Sequence, residues 1–495
     1  MINFLPMFVA VPLGAAFLMP LLYKIDRRLT DLLGNLTTFY LLAASLALYF
    51  FLPADHLMIY RVGGWAPPVG IILVLDGLSH FLLLTVNLIA ALATLYSISY
   101  MNKYTSRGKY YTLFMLMVAG MNGVVLTGDL FNLFVFLEIA AIASYALVAF
   151  GCESEELEAS FKYLVMGSVA STLVLFGIAL LYGLTGTLNM ADIARSLPAN
   201  AGAARALITV LFLMGFGMKS AMVPFHAWLP DAHPSAPAPI SAMLSGVLIK
   251  ALGVYALVRI LFNVLGMTPQ LSYILMVLGT LSLLGGVLLA IGQWDLKRLL
   301  AYHSISQIGY VILGIGLATP LGIMGGLFHL FNHALFKSLL FLNAGSVEYR
   351  VGTRELKEMG GLAKKMPVTW ATSLMASLSI SGLPPFNGFW SKLFIILACV
   401  QTGRLWFALA AVIGSLLTLA SFLKVQKYAF FEQLPSRLET VKEAPWIMGM
   451  VMIVLAGLCL AVGILFPYMV AFLVNPAAAA VLNGTGYSRL ILGGL

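Results

Sequence analysis

Residues 130–150 read LFNLFVFLEIAAIASYALVAF, an apolar stretch with one charged residue, Glu138. A stretch of about 20 apolar residues has the length that an α-helix needs to cross the hydrocarbon core of a bilayer. An ionisable side chain at mid-membrane is costly and usually faces the protein interior or a water-filled path. The stretch therefore predicts a transmembrane helix that carries a functional charge.

Similar apolar stretches follow one another along the chain. Of the 495 residues, 61% are hydrophobic and 9% are charged, and the mean hydropathy is +0.98. Because soluble domains are typically about 25% charged, this composition excludes a soluble protein and predicts an all-α polytopic membrane protein. The predicted transmembrane helices number fourteen, at residues 3–23, 31–52, 71–97, 109–128, 130–150, 161–185, 205–227, 238–262, 271–292, 298–317, 320–345, 367–399, 404–428 and 445–473.

The basic residues are distributed unevenly between the predicted loops. If the N-terminus faces outward and residues near span ends are counted with the adjoining loops, the cytoplasmic side carries 18 of the 28 lysines and arginines, the opposite side carries 6, and 4 lie deep within spans. Cytoplasmic loops of membrane proteins are normally enriched in lysine and arginine. The distribution therefore predicts that both termini lie on the outer side. It also accounts for the net charge of +9 without a nucleic-acid partner.

Three pairs of lysines recur along the chain at a separation of 173 to 175 residues. The members of each pair lie five predicted helices apart, and because five is odd, the second copy must be inverted in the membrane. The spacing thus predicts two inverted five-helix repeats, an architecture common among transporters; the alternative is coincidence among few lysines. The pairs are Lys162 with Lys337, Lys219 with Lys392, and Lys250 with Lys424.

Prolines interrupt the predicted helices 7 and 12 close to a lysine. Pro224 follows Lys219, and Pro384 and Pro385 precede Lys392. Proline removes a backbone donor and clashes with the preceding turn. In a membrane the freed carbonyls are tolerated only where protein or water satisfies them. Broken helices at matching points of two repeats are typical of a transport site, so we predict breaks in helices 7 and 12.

Glu138 and the lysines within spans are candidates for a proton path. Paired with a lysine, the Glu138 carboxylate could keep its charge in the membrane, and Lys219 is the candidate partner; the alternative is a fixed ion pair that only joins two helices. Lys250 and Lys392 would continue the path, because a lysine can lose its proton when desolvated whereas arginine stays charged. The alternative for Lys250 is a side chain that reaches the membrane surface from near a helix end.

Polar residues between these lysines extend the predicted path. His329, His333 and Lys337 follow one another at intervals of four and share one helix face. His303 lies on the preceding predicted helix. Histidine titrates near neutral pH and can shuttle protons. The His329–His333 spacing is also compatible with zinc, although acidic and cysteine ligands are missing nearby in the sequence.

Another polar cluster follows predicted helix 7. It is interpreted either as an access point on the cytoplasmic side or as a simple polar loop with prolines. The cluster consists of His226, Trp228, Asp231 and His233.

The cysteines predict neither a metal site nor a redox site. Cys152, Cys399 and Cys459 are scattered without the spacing of metal ligands or redox pairs. The sequence also lacks a Gly-rich phosphate loop and an Fe–S cysteine cluster. We therefore expect no cofactor and no redox or hydrolytic centre in this chain, so that any redox chemistry belongs to partner proteins.

Three motifs resemble those of the antiporter-like subunits of respiratory complex I, Mrp-type sodium/proton antiporters and membrane-bound hydrogenases. They are Gly217–His233 (GMKSAMVPFHAWLPDAH), His329–Lys337 (HLFNHALFK) and Gly382–Phe389 (GLPPFNGF). The resemblance covers nearly the whole chain. The length of the chain and the segment around Glu138 look most similar to the D subunit of Mrp antiporters and to related hydrogenase subunits.

The resemblance implies a domain order and a setting. Residues 1–108 would hold helices 1–3, 109–262 the first repeat, 271–428 the second, and 429–495 a loop and helix 14. It implies a Glu138–Lys219 pair, a bridging Lys250 and a terminal Lys392. It further implies a bacterial or archaeal plasma membrane, partner membrane subunits that include other antiporter-like subunits, and protons moving along a hydrated central axis.

Two functions follow from these expectations. One is a subunit of a secondary antiporter that exchanges sodium for protons, most similar to the Mrp D subunit or a close hydrogenase relative. The alternative is a proton-pumping subunit of a redox-driven oxidoreductase, such as a hydrogenase or NADH–quinone oxidoreductase. A third interpretation is a structural membrane subunit that moves nothing. Sodium prefers oxygen ligands, and the one carboxylate firmly placed in a span is Glu138, so this chain is better suited to protons.

Overall fold

The computed structural model describes residues 4–51, 57–198 and 201–493. A bundle of long helices dominates these ranges, with a small antiparallel sheet of β1 (Met58–Arg61) and β2 (Ile72–Leu75) on one side. The helices are α1 (Met7–Ile25), α2 (Arg27–Phe51), α3 (Gly77–Tyr100), α4 (Arg107–Leu126), α5 (Leu130–Val148), α6 (Ser154–Thr185), α7 (Met190–Ser196), α8 (Gly202–Lys219), α9 (Leu229–Ser235), α10 (Ala238–Val264), α11 (Pro269–Ile291), α12 (Leu296–Gly316), α13 (Pro320–Val351), α14 (Leu362–Lys365), α15 (Pro367–Ser381), α16 (Asn387–Gln401), α17 (Leu405–Phe431), α18 (Trp446–Ile464), α19 (Phe466–Leu482) and α20 (Tyr487–Leu492).

The predominantly helical membrane architecture agrees with the prediction. Within the described ranges, twelve helices are long and apolar enough to cross a membrane, and a bent pair after Phe466 would make a thirteenth. The predicted helices 11 and 12 are not among the twelve. Helix α13 has 32 residues but carries histidines, asparagine and lysine in its middle, and the predicted helix 12 is divided into α15 and α16, of 15 residues each.

Several predicted boundaries were wrong. Predicted helix 3 begins at Gly77 instead of residue 71, because 72–75 form the second strand of the hairpin. Predicted helix 6 begins seven residues earlier, at Ser154, where Glu153 and Glu156 form a capping box. Predicted helix 14 ends at Ile464 instead of residue 473, and α19 and α20 follow it.

The central helices begin at aspartates whose side chains bond the backbone and end at glycines. Asp129 accepts from the Asn132 amide at 2.8 Å and starts α5, and Asp295 accepts from the Arg298 amide at 2.9 Å and starts α12. An aspartate at this position satisfies a free N–H and complements the helix dipole. At the other end, Gly186 and Gly352 adopt left-handed φ angles of 69° and 79°, which favour glycine and stop α6 and α13.

Two parts of the chain contain the same short backbone ladder. Residues 128–130 pair with 188–190 through two hydrogen bonds of 2.9 Å, and residues 294–296 pair with 354–356 through two more of 2.9 Å. Corresponding ladder residues are 166 positions apart, and so are the ends of α6 and α13, which both have 32 residues. The pair Lys162 and Lys337, 175 apart, does not fit this offset: Lys162 is the ninth residue of α6, whereas Lys337 is the eighteenth of α13.

Glycines allow α11 and α12 to pack backbone to backbone. A Cβ on Gly309 would lie 2.3 Å from the Leu283 backbone nitrogen, and a Cβ on Gly279 would lie 2.6 Å from the Leu313 nitrogen. Small residues let transmembrane helices approach this closely, and van der Waals packing then holds them together. This contact fixes α12, which carries His303, against its neighbour.

Candidate functional site

Glu138 and Lys219, the predicted pair, come together between α5 and the end of α8. The Lys219 Nζ lies 3.6 Å from the Glu138 Oε1, and the lysine side chain is 4% exposed whereas that of the glutamate is 27% exposed. The Ser171 hydroxyl donates to the same carboxylate oxygen. The carboxylate therefore sits between one ammonium and one hydroxyl and is accessible from one side.

Aromatic rings support this pair. Lys219 Nζ donates to the Tyr145 hydroxyl at 3.3 Å, and the Tyr145 ring packs edge-on against Tyr163. Tyr163 in turn stacks on Trp228 with a centroid distance of 4.0 Å, and the Trp228 indole donates to the Met218 carbonyl at 3.0 Å. The rings connect the lysine to the chain that follows it and hold its ammonium in place.

The backbone changes direction directly after Lys219, the last residue of α8. Ala221 has a φ of 56°, and helical structure resumes at Leu229. A positive side chain at a helix C-terminus interacts favourably with the partial negative charge of the exposed carbonyls. The Val223 amide, no longer within a helix, donates to the Ser282 hydroxyl at 3.0 Å on α11.

Lys392 has a comparable position on the other side of the bundle. It lies on α16, and its Nζ donates to the Ile380 carbonyl at 2.7 Å, in the last turn of α15, and to the Ser415 hydroxyl at 3.3 Å. Gly382, with a φ of 80°, separates α15 from the segment that leads into α16. The ammonium also lies 4.7 Å from the centroid of the Tyr310 ring. Both lysines thus place their charge at the C-terminal end of a short helix.

Lys250 lies between these two places and is fully buried. It is the thirteenth residue of the 27-residue helix α10, so its side chain does not extend from a helix end, and the surface-reaching interpretation is wrong. Residues Leu244–Tyr255 form a π-helical stretch, and the Lys250 ammonium donates to the Ser245 carbonyl. The Ser245 hydroxyl meets that of Ser304 on α12 at 2.7 Å.

The histidines and Lys337 line the centre of the bundle and are all buried. His329 contacts the Ser391 hydroxyl at 2.9 Å and the Gln307 side-chain oxygen at 3.2 Å. His303 contacts the Ser421 hydroxyl at 2.8 Å. Such hydroxyl and amide partners can pass a proton onward, because they both donate and accept.

His333 and Lys337 lack hydrogen-bond partners among the residues that the structure describes. A buried polar group without a partner is costly, and such groups often mark ordered water or a functional site. The predicted residues therefore do not form one continuous chain of direct hydrogen bonds within the described ranges. They form separate polar sites on α5, α8, α10, α12, α13 and α16 that share one interior.

His233 is the buried residue whose position the sequence did not reveal. We interpreted residues 226–233 as an access point or a polar loop, but Leu229–Ser235 is helical and the His233 side chain is fully buried. Its ring stacks on Phe341 of α13 with centroids 4.5 Å apart, and in the described structure neither ring nitrogen has a hydrogen-bond partner. One sequence signal was available: predicted helix 8 begins at residue 238, five residues after His233, which places the histidine beside a span.

Metal ligation finds little support in the geometry. Both ring nitrogens of His329 already face Gln307 and Ser391. Over the described ranges, no group of three or more His, Cys, Asp or Glu residues is arranged to hold a metal ion.

Comparisons with known proteins show the family to which the chain belongs. Residues 127–418 match the family described as "NADH:quinone oxidoreductase/Mrp antiporter, TM". The chain is 41% identical to the N subunit of NADH-quinone oxidoreductase from Desulforudis audaxviator over 76% of each chain. It is 36% identical to the D subunit of the Na(+)/H(+) antiporter from Alkalihalophilus pseudofirmus over 76% of this chain and 77% of the relative.

A solved structure covers nearly the whole fold. A chain of the Mrp complex from a Dietzia species superposes with a TM-score of 0.91 at 30% identity, over 99% of each chain. The similarity therefore includes α1 and α2 at one end and α19 and α20 at the other, outside the region that the family match covers.

Proposed function

Because this chain belongs to the NADH:quinone oxidoreductase/Mrp antiporter family of membrane proteins, we propose that it moves protons as an antiporter-like subunit of a multi-subunit complex. The observation that carries the proposal is the Glu138–Lys219 pair, 3.6 Å apart inside the membrane bundle at the end of a helix. A buried lysine can release its proton when a nearby carboxylate balances its charge only in part. The pair can therefore alternate between a state with a charged lysine and a state with a neutral one.

The proposed path runs laterally through the buried polar sites. It begins at Glu138 and Lys219, continues through Lys250 to the cluster on α12 and α13, and ends at Lys392. The cluster comprises His303, His329, His333 and Lys337, all fully buried. Water between the sites would complete the transfer, since buried polar groups without protein partners commonly bind it.

We further propose that residues 109–262 and 271–428 are inverted copies of one unit. The equal ladders at 128–130 with 188–190 and at 294–296 with 354–356 support this division. The equal lengths of α6 and α13 support it as well. In each proposed copy a lysine ammonium lies at the C-terminal end of a short helix, the arrangement expected of broken helices at a transport site.

The excess of lysine and arginine supports an orientation with both termini on the outer side of a bacterial or archaeal plasma membrane, since 18 of 28 basic residues then lie in cytoplasmic loops. Other membrane subunits, including antiporter-like ones, are the proposed partners.

Replacement of Lys219 by methionine tests the function. Lys219→Met keeps the apolar stem of the side chain and removes its ammonium, so we expect proton movement to fall to background in vesicles that contain the purified complex and a pH-sensitive dye. Lys24→Met is the matched control, because Lys24 also lies in the last turn of a spanning helix but is exposed. Unchanged transport by an assembled Lys219→Met complex would support the structural-subunit interpretation instead.

The second candidate is a redox-driven pump. It is favoured by the 41% identity to an NADH-quinone oxidoreductase subunit. Purification of the complex and identification of its other subunits separates the two. Subunits with Fe–S or Ni–Fe centres indicate a pump that electron transfer drives, whereas membrane subunits alone indicate an antiporter that a sodium gradient drives.

A further inference from the structure

A polar cavity of about 460 Å³ opens on the face where α6 begins and α13 ends. Charged side chains of both signs line it, among them Lys162, Asp231, Asp295, Arg298 and Arg354. The cavity lies outside the proposed lateral path. Its walls come from α6, α9, α12 and the segment after α13, so it reaches inward beside the helix that carries His233.

A buried ion pair contacts one wall of the cavity. Lys297 Nζ lies 2.7 Å from Glu348 Oε2, and the lysine side chain is 2% exposed. Arg354 joins the pair to the cavity wall: its guanidinium lies 3.0 Å from Asp295 and 3.9 Å from Glu348, and it donates to the Pro234 carbonyl at 2.6 Å.

The same cations hold the backbone around α9. Lys297 Nζ donates to the Ala236 carbonyl at 3.2 Å, three residues after His233. The Ser241 hydroxyl donates to the carbonyl of His233 itself at 2.8 Å. The ion pair and the buried histidine are thus parts of one connected structure.

Hydroxyl groups occupy the space between the ion pair and His233. Along α13, Gly345 lies between Glu348 and Phe341, and a Cβ on Gly345 would lie 3.1 Å from the Tyr96 hydroxyl. The Tyr96 hydroxyl in turn meets the Ser346 hydroxyl of α13 at 3.0 Å. Because residues 341, 345 and 348 share one face of α13, these groups follow that face from Glu348 to Phe341.

Lys337 lies one turn beyond Phe341 on α13. The Phe341 ring stacks on His233, and the Lys337 ammonium lies 5.5 Å from the centroid of the same ring. At 1.5 Å of rise per residue, Glu348 and Lys337 are separated by about 16 Å along α13. His233 lies between them with both ring nitrogens unpartnered in the described structure.

We propose that this cavity is the mouth of a proton access path, that the Lys297–Glu348 ion pair closes it, and that His233 is the first proton acceptor inside. The proposal rests on the proposed function, because His233 would deliver protons to Lys337 and the lateral path. When Glu348 releases Lys297, water reaches His233 and the histidine exchanges its proton with the cavity.

Thiol accessibility tests the closure in the purified complex. In a Cys152→Ser chain the exposed cysteine is removed, and Cys399 and Cys459 are buried. Ser235→Cys in the cavity wall should react quickly with a membrane-impermeant thiosulfonate added to that face, and His233→Cys should react slowly. Adding Glu348→Gln should speed labelling at position 233 by about tenfold or more, the factor that corresponds to about 1.4 kcal/mol of closing energy.

The control is Glu358→Gln, which alters an exposed pair with Arg437 of 3.6 Å by the same substitution and should not change labelling at position 233. If Glu348→Gln prevents assembly, Lys297→Met opens the pair from its other side. Labelling at 233 that neither variant accelerates, or that is as fast as at 235 before any change, overturns the proposal.

A transport measurement separates this proposal from the proposed function. His233→Phe preserves an aromatic ring on Phe341 but removes the proton acceptor, and it should abolish proton movement as Lys219→Met does. If Lys219→Met abolishes transport and an assembled His233→Phe complex retains it, the access path is wrong and the lateral path stands. If Lys219→Met itself retains transport, the proposed function fails first.

Discussion

The lysine residues of this chain differ in what their ammonium groups contact. Lys392 donates to the Ile380 carbonyl and the Ser415 hydroxyl inside the bundle, whereas Lys424 donates to the Ile291 and Gln293 carbonyls at 2.7 and 2.6 Å near its edge. Both bind carbonyls at the end of a helix, which is where a cation is electrostatically favoured. Of these two lysines, we propose a role in proton movement only for Lys392.

Arginine substitution distinguishes charge from proton release at these two positions. Lys392→Arg keeps a positive group near the Ile380 carbonyl, but a guanidinium does not release its proton in proteins. We expect a loss of proton movement of roughly a hundredfold or more, the range that removal of one acid–base group commonly causes. The vesicle assay described above measures it.

Lys424→Arg is the matched control and should transport normally. Equal rates for both arginine variants would mean that Lys392 acts as a fixed charge, and the end of the proposed path would have to lie elsewhere.

Among the elements, the pair α11 and α12 depends on glycine. A Cβ at Gly309 would lie 2.3 Å from the Leu283 backbone nitrogen, so even alanine forces the two helices apart. Overpacking of a tight contact typically costs about 1–3 kcal/mol. Helix α12 carries His303 and Gln307, so its displacement would also disturb the contacts of His329.

Gly309→Ala should therefore lower the melting temperature of the purified complex. The fluorescence of a thiol-reactive dye or of tryptophan measures the melting. Gly183→Ala, in α6 with nothing within 4 Å of the added Cβ, is the control and should melt like the parent. A parent-like melting curve for Gly309→Ala would show that the helices can separate at little cost.

At the scale of the whole molecule, a buried ion pair joins distant parts of the chain. Arg259 on α10 binds both carboxylate oxygens of Asp76, the residue that starts α3, at 2.7 Å. The Arg259 guanidinium also lies 5.0 Å from the Tyr487 ring, and Asn263 donates to the Ala480 and Gly484 carbonyls. The end of α10 thus anchors the last helices to the bundle.

Loss of one partner should destabilise this junction. Removing one member of a buried ion pair costs about 3–5 kcal/mol, because the other charge is left uncompensated. Arg259→Met should lower the melting temperature and make the segment after Ile464 sensitive to protease. Arg437→Met, at an exposed pair with Glu358, should change neither. A protease-resistant Arg259→Met chain would mean that apolar packing alone holds the segment.

The pH dependence of this pair follows from its surroundings. Burial favours the neutral form of Asp76, but the charge and hydrogen bonds of Arg259 outweigh it and hold the pKa of Asp76 below its ordinary value. A lowered pKa in the folded state contributes stability above the pKa of the unfolded chain and loses it as pH falls through the folded value. In Arg259→Met, burial alone acts on Asp76 and raises its pKa, so the destabilisation should be largest at high pH and shrink as pH falls and the carboxyl becomes neutral.

The sequence by itself determined the membrane class, most helix positions and the buried charges. These follow from hydropathy and helix length, which are local properties, and from the cost of an ion in hydrocarbon. The spacing of His329, His333 and Lys337 likewise gave one helix face, because that face depends only on helical periodicity.

Only the tertiary structure decided which of these residues meet. Lys219 lies 3.6 Å from Glu138, and Lys392 meets the end of α15, because separate helices pack together, and no sequence separation encodes that contact. Packing also buried His233, although its polar, proline-rich segment is typical of a loop. The equal lysine separations suggested that Lys162 corresponds to Lys337, and the backbone ladders do not support this pair. The reason is that a fold constrains helix ends and crossings more strongly than the position of any one side chain.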